Sequence, residues 1–267
     1  MAEAVTRVGV FGAGGRMGST VCQTVCDDPE LELVAAVDPL RAGVPLADVG
    51  VPEPGLQIQA NTEAMIDAGA DVAVDFTVLD AARENLEWCA SNGIHAVVGT
   101  TGFTDADMAR YRERFESSDA NAVIAPNFAI GAVLMMRFAE LAAPYFETAE
   151  IIELHHDEKV DAPSGTAVLT GERMAAASKD WAEDPTETVV VQGTRGGRGP
   201  GNIPIHSVRL RGLVAHQEVL LGTTGQSLSI RHDSFDRWSF MPGVLLAIRA
   251  VRDHPGLTVG LDALLDV

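Results

Sequence analysis

Apolar residues fall into two textures along the chain, and each predicts a different sheet. In the first half, the runs 5–11, 31–37, 71–76, 94–98 and 122–125 are short, nearly continuous and rich in Val, Ala and Ile. They read as parallel strands buried on both faces. Residues 81–90 carry a helical pattern between two of these runs, as the crossover of a parallel pair requires. The reading is an α/β chain whose N-terminal domain, residues 1–128, holds a Rossmann-like parallel sheet. Beyond residue 128 the pattern changes. A long apolar helix over 130–143 precedes a short buried strand over 150–154, a helix beginning near Ser164, and β-type runs at 187–191, 206–210, 215–221 and 227–231. Consecutive strands with short turns predict an α+β domain, residues 129–240, with a mixed and largely antiparallel sheet. Residues 234–251 read as helical again, so the segment 241–267 is expected to complete the first domain. The open edges of the second sheet predict subunit association.

The first strand ends in a glycine turn, Gly12-Ala13-Gly14-Gly15-Arg16-Met17-Gly18, and a helical segment follows. Glycines 12, 15 and 18 have Gly-x-x-Gly-x-x-Gly spacing, which lets backbone approach a pyrophosphate at a helix N-terminus. The second strand ends at Asp38, at about the distance expected for the acid that binds ribose hydroxyls. One glycine motif alone is weak. Strand, turn, helix, second strand and terminal acid in this order predict a dinucleotide cofactor. A carboxylate accepts hydrogen bonds from two hydroxyls but repels a 2′-phosphate, so Asp38 leans toward NAD over NADP. Arg16 and Arg41 could each reach a 2′-phosphate, which keeps NADPH open. The loops after the later strands, Phe76-Thr77, Gly99-Thr100-Thr101-Gly102 and Ala125-Pro126-Asn127-Phe128, are candidates to line the cofactor, although Gly-Thr-Thr-Gly by itself is an ordinary turn.

The densest chemistry lies between Glu153 and Ala167. His155 and His156 sit where the strand 150–154 ends, Lys159 follows, and Ser164 precedes Gly165 and Thr166 at a predicted helix N-terminus. The chain has two lysines against 17 arginines, so a lysine here is not drawn from a plentiful background. The set supplies a fixed cation, two imidazoles able to move a proton, and a helix end that holds a carboxylate or phosphate. A His-His pair alone is more often structural. The ligand implied is small and anionic. No His-x-x-x-His or Cys-x-x-Cys spacing accompanies the pair, so no metal is expected.

Composition narrows the field further. A net charge of −19 without a basic stripe argues against nucleic-acid partners. No apolar run reaches the roughly 18 residues of a membrane span and no basic-then-apolar leader opens the chain, which predicts a soluble cytoplasmic protein. Three cysteines, 22, 26 and 89, are expected as reduced structural thiols. The glycine-rich stretch 193–201 reads as a mobile loop whose Arg195 and Arg198 could instead close over an anion.

Four motifs together carry a resemblance: Gly12-x-x-Gly-Arg-Met-Gly18, Gly99-Thr-Thr101, Ala125-Pro-Asn-Phe128 and Glu153-x-His-His-x-x-Lys-x-Asp-Ala-Pro-Ser-Gly-Thr-Ala167. In these the chain resembles the 4-hydroxy-tetrahydrodipicolinate reductase (dihydrodipicolinate reductase) family, over essentially its whole length. The resemblance implies hydride transfer from NADH or NADPH to a cyclic dicarboxylate in lysine biosynthesis through diaminopimelate. It implies His155 as proton donor or acceptor and Lys159 as proton donor, with His156, Gly165 and Thr166 holding substrate carboxylates. Gly12, Ala13, Gly14, Gly15, Arg16, Met17, Asp38, Gly99, Thr100, Thr101, Ala125, Pro126, Asn127 and Phe128 would hold the cofactor, and a homotetramer joined through the C-terminal sheets is implied. Members that use both nucleotides often carry Arg after the acid; here Pro39 follows Asp38.

Overall fold

The structure is a computed structural model that describes residues 5–52 and 55–265. It forms two compact units, one running through Phe128 and resuming at Phe240, the other spanning Ala129–Ser239.

In the first unit, strands β1 (Thr6–Phe11), β2 (Leu31–Val37), β3 (Val72–Asp75), β4 (His95–Val98) and β5 (Ala122–Ile124) are all parallel, and β11 (Leu257–Val259) joins beside β5. The spatial order is β11-β5-β4-β3-β1-β2. Order reverses at β1, the kind of switch point where open α/β sheets place ligands. Helices α1 (Arg16–Asp27), α2 (Glu63–Asp67), α3 (Leu79–Asn92), α4 (Asp105–Glu116) and, from the returning segment, α7 (Met241–Ala250) complete the unit. Strand residues are apolar on both faces because both faces are covered: Phe11, Leu86, Tyr111 and Phe115 are all at most 2% exposed and share one core cluster.

Two glycines of the first turn are required by geometry. Gly12 has φ +70°, a left-handed conformation that a side chain strains. A Cβ on Gly18 would lie 2.0 Å from the Gly12 carbonyl oxygen, so only glycine lets α1 start this close to the end of β1.

The second unit is a five-stranded sheet of order β10-β9-β6-β8-β7, built from β6 (Thr148–His155), β7 (Gly197–Arg198), β8 (Pro204–Arg209), β9 (Ala215–Thr223) and β10 (Gln226–Ser234). Three of its four pairings are antiparallel, and β6 with β8 is parallel. Helices α5 (Ile130–Ala142) and α6 (Gly165–Ala177) pack on one face, over Ile151, Ile205, Val219 and Leu221. Each such buried aliphatic side chain contributes about 1.5–3 kcal/mol, enough to pin β6 at the middle of the sheet.

Two expectations are corrected. Residues 187–191 do not form a strand; Val189, Val190 and Val191 are exposed. High β-propensity makes a strand only where a partner edge and a covered face exist. The helix expected over 234–251 begins later, at Met241, because Ser234 still closes β10 and a 3-10 turn, Arg237–Phe240, intervenes. The glycine-rich stretch is tied down within its unit: Arg195 pairs with Glu150 at 2.7 Å and Arg198 with Asp184 at 2.6 Å.

Candidate active site

On the first unit, the glycine turn and the loops after β2, β3, β4 and β5 lie at the C-terminal ends of parallel strands. Asp38 directly follows β2 and is fixed by two backbone donors: Gly14 N–H to Oδ2 at 3.2 Å and Leu40 N–H to Oδ1 at 3.0 Å. This places the acid directly against the glycine turn. Arg41 stands there too, since a Cβ on Gly14 would collide with its Cβ and Cγ. Arg16 opens α1 and is exposed. The turn is therefore a backbone cradle with one carboxylate and one guanidinium at its rim, a set that fits the pyrophosphate and ribose of a dinucleotide.

The neighbouring loops are knitted together by a residue that the motifs do not reveal. Asp75, 2% exposed at the end of β3, accepts from the Thr77 N–H at 2.7 Å, the Thr77 hydroxyl at 2.6 Å and the Asn85 amide at 2.7 Å. Burial pushes its carboxyl above the usual range, against these hydrogen bonds. The Thr100 hydroxyl donates to the Thr77 carbonyl at 2.8 Å, and the Phe76 and Phe128 rings pack with centroids 5.6 Å apart. Thr77 thus couples the β3 and β4 loops, and Phe76 couples β3 to the loop ending in Phe128.

On the second unit, β6 delivers His155 as its last residue, and the chain then turns so that the Lys159 N–H donates to the His156 carbonyl at 3.3 Å. His156 is exposed. Ser164 caps α6, its hydroxyl accepting from the Ala167 N–H at 3.3 Å, so Gly165 and Thr166 form the first turn at the positive end of that helix. Lys159 Nζ donates to both oxygens of Asp161 at 2.7 and 2.8 Å. That pair draws the Asp161 carboxyl below its ordinary range.

Beneath this loop lies Glu153, wholly buried. Its Oε2 meets His155 Nδ1 at 2.5 Å and Arg209 Nη1 at 2.9 Å; its Oε1 accepts from Arg209 Nη2 at 2.8 Å and the Ser164 N–H at 3.3 Å. Arg209 Nη2 also donates to the Asp161 carbonyl at 2.6 Å. Burial alone would raise the Glu153 carboxyl, but hydrogen bonds from His155, Arg209 and Ser207 outweigh it and hold the group at about 2. Glu153 and Asp161, which stand in the motif without a role, join the site, as does Arg209 from outside it. Glu153 had a visible signal, a carboxylate in an apolar strand on the same face as His155. Arg209 had none, because it reaches the site through the parallel pairing of β8 with β6, where it is opposite His155.

A dinucleotide cradle on a parallel sheet, and a separate mixed sheet presenting imidazole, ammonium and a helix end, define a two-domain nicotinamide-dependent oxidoreductase. Residues 6–128 match the family described as dihydrodipicolinate reductase, N-terminus, and residues 131–265 match dihydrodipicolinate reductase, C-terminus. The chain belongs to this family. It is 50% identical over 263 residues to 4-hydroxy-tetrahydrodipicolinate reductase of Mycobacterium sp. (strain KMS), covering 98% of this chain and 99% of the relative. The Mycobacterium marinum enzyme of that name is 51% identical over the same share of each chain. The solved dipicolinate-bound dihydrodipicolinate reductase from Paenisporosarcina sp. TG-14 superposes with a TM-score of 0.88 at 41% identity, covering 98% of this chain and all of that one.

The Glu153 carboxyl has a pH consequence. Its folded value, about 2, lies below the ordinary 4.5, so its stabilising contribution is fully present above about pH 4.5 and is lost as pH falls toward 2. The urea unfolding midpoint should therefore fall between pH 5 and 3, and fall less steeply in Glu153→Gln than in the parent; parallel slopes would refute the assignment.

Proposed function

We propose that this protein reduces 4-hydroxy-tetrahydrodipicolinate to tetrahydrodipicolinate, with loss of water, in the diaminopimelate route to lysine. The observation that carries the reading is the arrangement at the end of β6, where His155 and the Ser164-capped start of α6 hang from one buried carboxylate and Lys159 is tied to it through Asp161 and Arg209. A helix N-terminus beside an ammonium suits a ligand with two carboxylates, and the structural relative from Paenisporosarcina is described as dipicolinate-bound.

Gly12, Ala13, Gly14, Gly15, Arg16 and Met17 form the cradle for the pyrophosphate, with Asp38 on the ribose and the Gly99, Thr100, Thr101 and Ala125, Pro126, Asn127, Phe128 loops along the remainder. The reduced nicotinamide supplies a hydride when bound. Departure of the ring hydroxyl and a neighbouring proton as water leaves a C=C bond conjugated with the ring C=N bond. Hydride addition to the far carbon of that C=C bond shifts an electron pair toward the nitrogen, and one proton completes the reduction. Lys159 screens the developing charge and donates that proton, while His155 donates or accepts a proton in the same pocket. His156 and the N–H groups of Gly165 and Thr166 hold the carboxylates.

NADH is the favoured nucleotide on this reading. Asp38 has its carboxylate at the glycine turn, where a 2′-phosphate would meet like charge. Arg41 at the same rim leaves NADPH usable. The assembly is a homotetramer joined through the second-unit sheets. Within that unit, the face opposite α5 and α6 carries Ile152, Leu154, Val208 and the 37%-exposed Leu220 among Glu150, His206 and Glu218, a mixed surface whose apolar side chains association would cover. A cytoplasmic location agrees with three free cysteines, two of them buried.

Three outcomes test the reading. With the product of dihydrodipicolinate synthase as substrate, Lys159→Ala should lower kcat by about 100-fold or more, the scale for a lost general acid. NADH binding, followed by fluorescence titration, should be unaffected in that variant, and unchanged turnover would remove Lys159 from the mechanism. The ratio of kcat/KM values should favour NADH in the parent and shift toward NADPH in Asp38→Asn; an unmoved ratio would take Asp38 out of cofactor choice. Light scattering coupled to gel filtration should give the mass of four chains, and a monomer at micromolar concentration would refute the tetramer.

A further inference from the structure

We infer that Glu153 is a positioning residue that dictates which nitrogen of His155 exchanges protons with the substrate, and that Arg209 and the Ser164 N–H hold Glu153 in that role. The inference deepens the proposed function and rests on its reading of His155 as a proton-handling group.

The geometry leaves little choice of tautomer. Oε2 of Glu153 faces two nitrogens, His155 Nδ1 and Arg209 Nη1, while Oε1 accepts from Arg209 Nη2 and the Ser164 N–H. The guanidinium and the backbone amide can only donate, so the carboxyl is ringed by donors and has no place for a proton of its own. An ionised carboxylate is solely an acceptor. His155 Nδ1 must therefore carry the hydrogen in this contact, and Nε2 becomes the ring atom with a lone pair to accept a proton or a second N–H to give one. Glu153 is wholly buried, so water does not compete for the contact.

The same carboxylate sets the position of Lys159. Arg209, fixed by Glu153, donates to the Asp161 carbonyl, and the Asp161 side chain receives Lys159 Nζ. Oε1 of Glu153 also holds the N–H of Ser164, the residue that caps α6. Imidazole, ammonium and helix end thus share one reference point. Glutamine at this position cannot reproduce it, because its NH2 group would face an N–H donor on whichever side it lay.

Histidine-selective 15N NMR tests the inference on the whole unsubstituted enzyme, with His155→Gln serving only to assign the His155 signals by their loss. In the neutral ring, Nδ1 should be protonated and Nε2 bare; a proton on Nε2 instead overturns the inference. Kinetics supply a second arm. Glu153→Gln should lower kcat by about 10- to 100-fold, the scale for removing a partner that orients a reactive histidine. In a His155→Gln background the same change should cost clearly less than in the parent, the remainder coming through Lys159 and the helix end. An equal loss in both backgrounds would show that Glu153 only supports the fold. A His155→Gln variant with parental turnover would overturn the reading of His155 itself and the inference with it. An Nε2-protonated ring in an enzyme that His155→Gln disables would overturn the inference alone.

Discussion

A carboxylate buried away from water must find donors or lose its charge, and the second unit is organised around that demand at Glu153. Transfer of an isolated carboxylate into a low-dielectric interior is prohibitively unfavourable. Here one guanidinium, one imidazole, one backbone amide and the Ser207 side chain satisfy it. Those donors come from β6, β8 and the start of α6, so the carboxylate joins a strand 56 positions away to its own neighbouring loop. The carboxylate therefore does for the loop 156–164 what a disulfide does in a small secreted protein: it makes several chain segments share one point. Breaking a buried pair of this kind costs about 3–5 kcal/mol, more than any single hydrogen bond elsewhere in the loop.

The first unit meets the same problem with a different balance. Asp75 is equally buried, but its donors are neutral: a hydroxyl, a backbone amide and a side-chain amide. No cation opposes burial there, so its carboxyl moves up where that of Glu153 moves down. The function differs accordingly. On the proposed reading, Asp75 orders loops that face the cofactor through their backbone, whereas Glu153 orders side chains that handle protons. In both units a charged or polar residue at or near the end of a central strand fixes the loops that follow, and the apolar core beneath supplies rigidity.

Much of this was legible in the residues and some was not, for physical reasons. The parallel strands announced themselves because both faces are buried and the runs are apolar without a break. Ser164 could be placed at a helix start from its short hydroxyl side chain and the small residues after it. His155 and Lys159 were visible because their types are scarce and clustered. Arg209 was not, since its role depends on a register between β6 and β8 that joins residues 56 positions apart. β11 escaped because three residues, Leu257–Val259, carry too little pattern to separate from a loop. The valines at 189–191 misled for the opposite reason, having strand character but no edge to join.

An anionic substrate meeting a chain of net charge −19 must find its cations already occupied, and the difference between the two ion pairs decides which one yields. Lys159 and Asp161 have side chains 21% and 58% exposed, whereas Arg209 lies against a Glu153 with no exposure at all. A pair open to solvent on its carboxylate side is worth about 0–1 kcal/mol, so a substrate carboxylate can take the place of Asp161 on Lys159 at small cost. The buried pair resists such exchange by several times that amount. On the proposed reaction the lysine is therefore released to the substrate while the reference point behind it stays put. This is the condition a proton donor needs: Asp161 holds the ammonium in place before the substrate arrives, then gives it up to a ligand of the same charge.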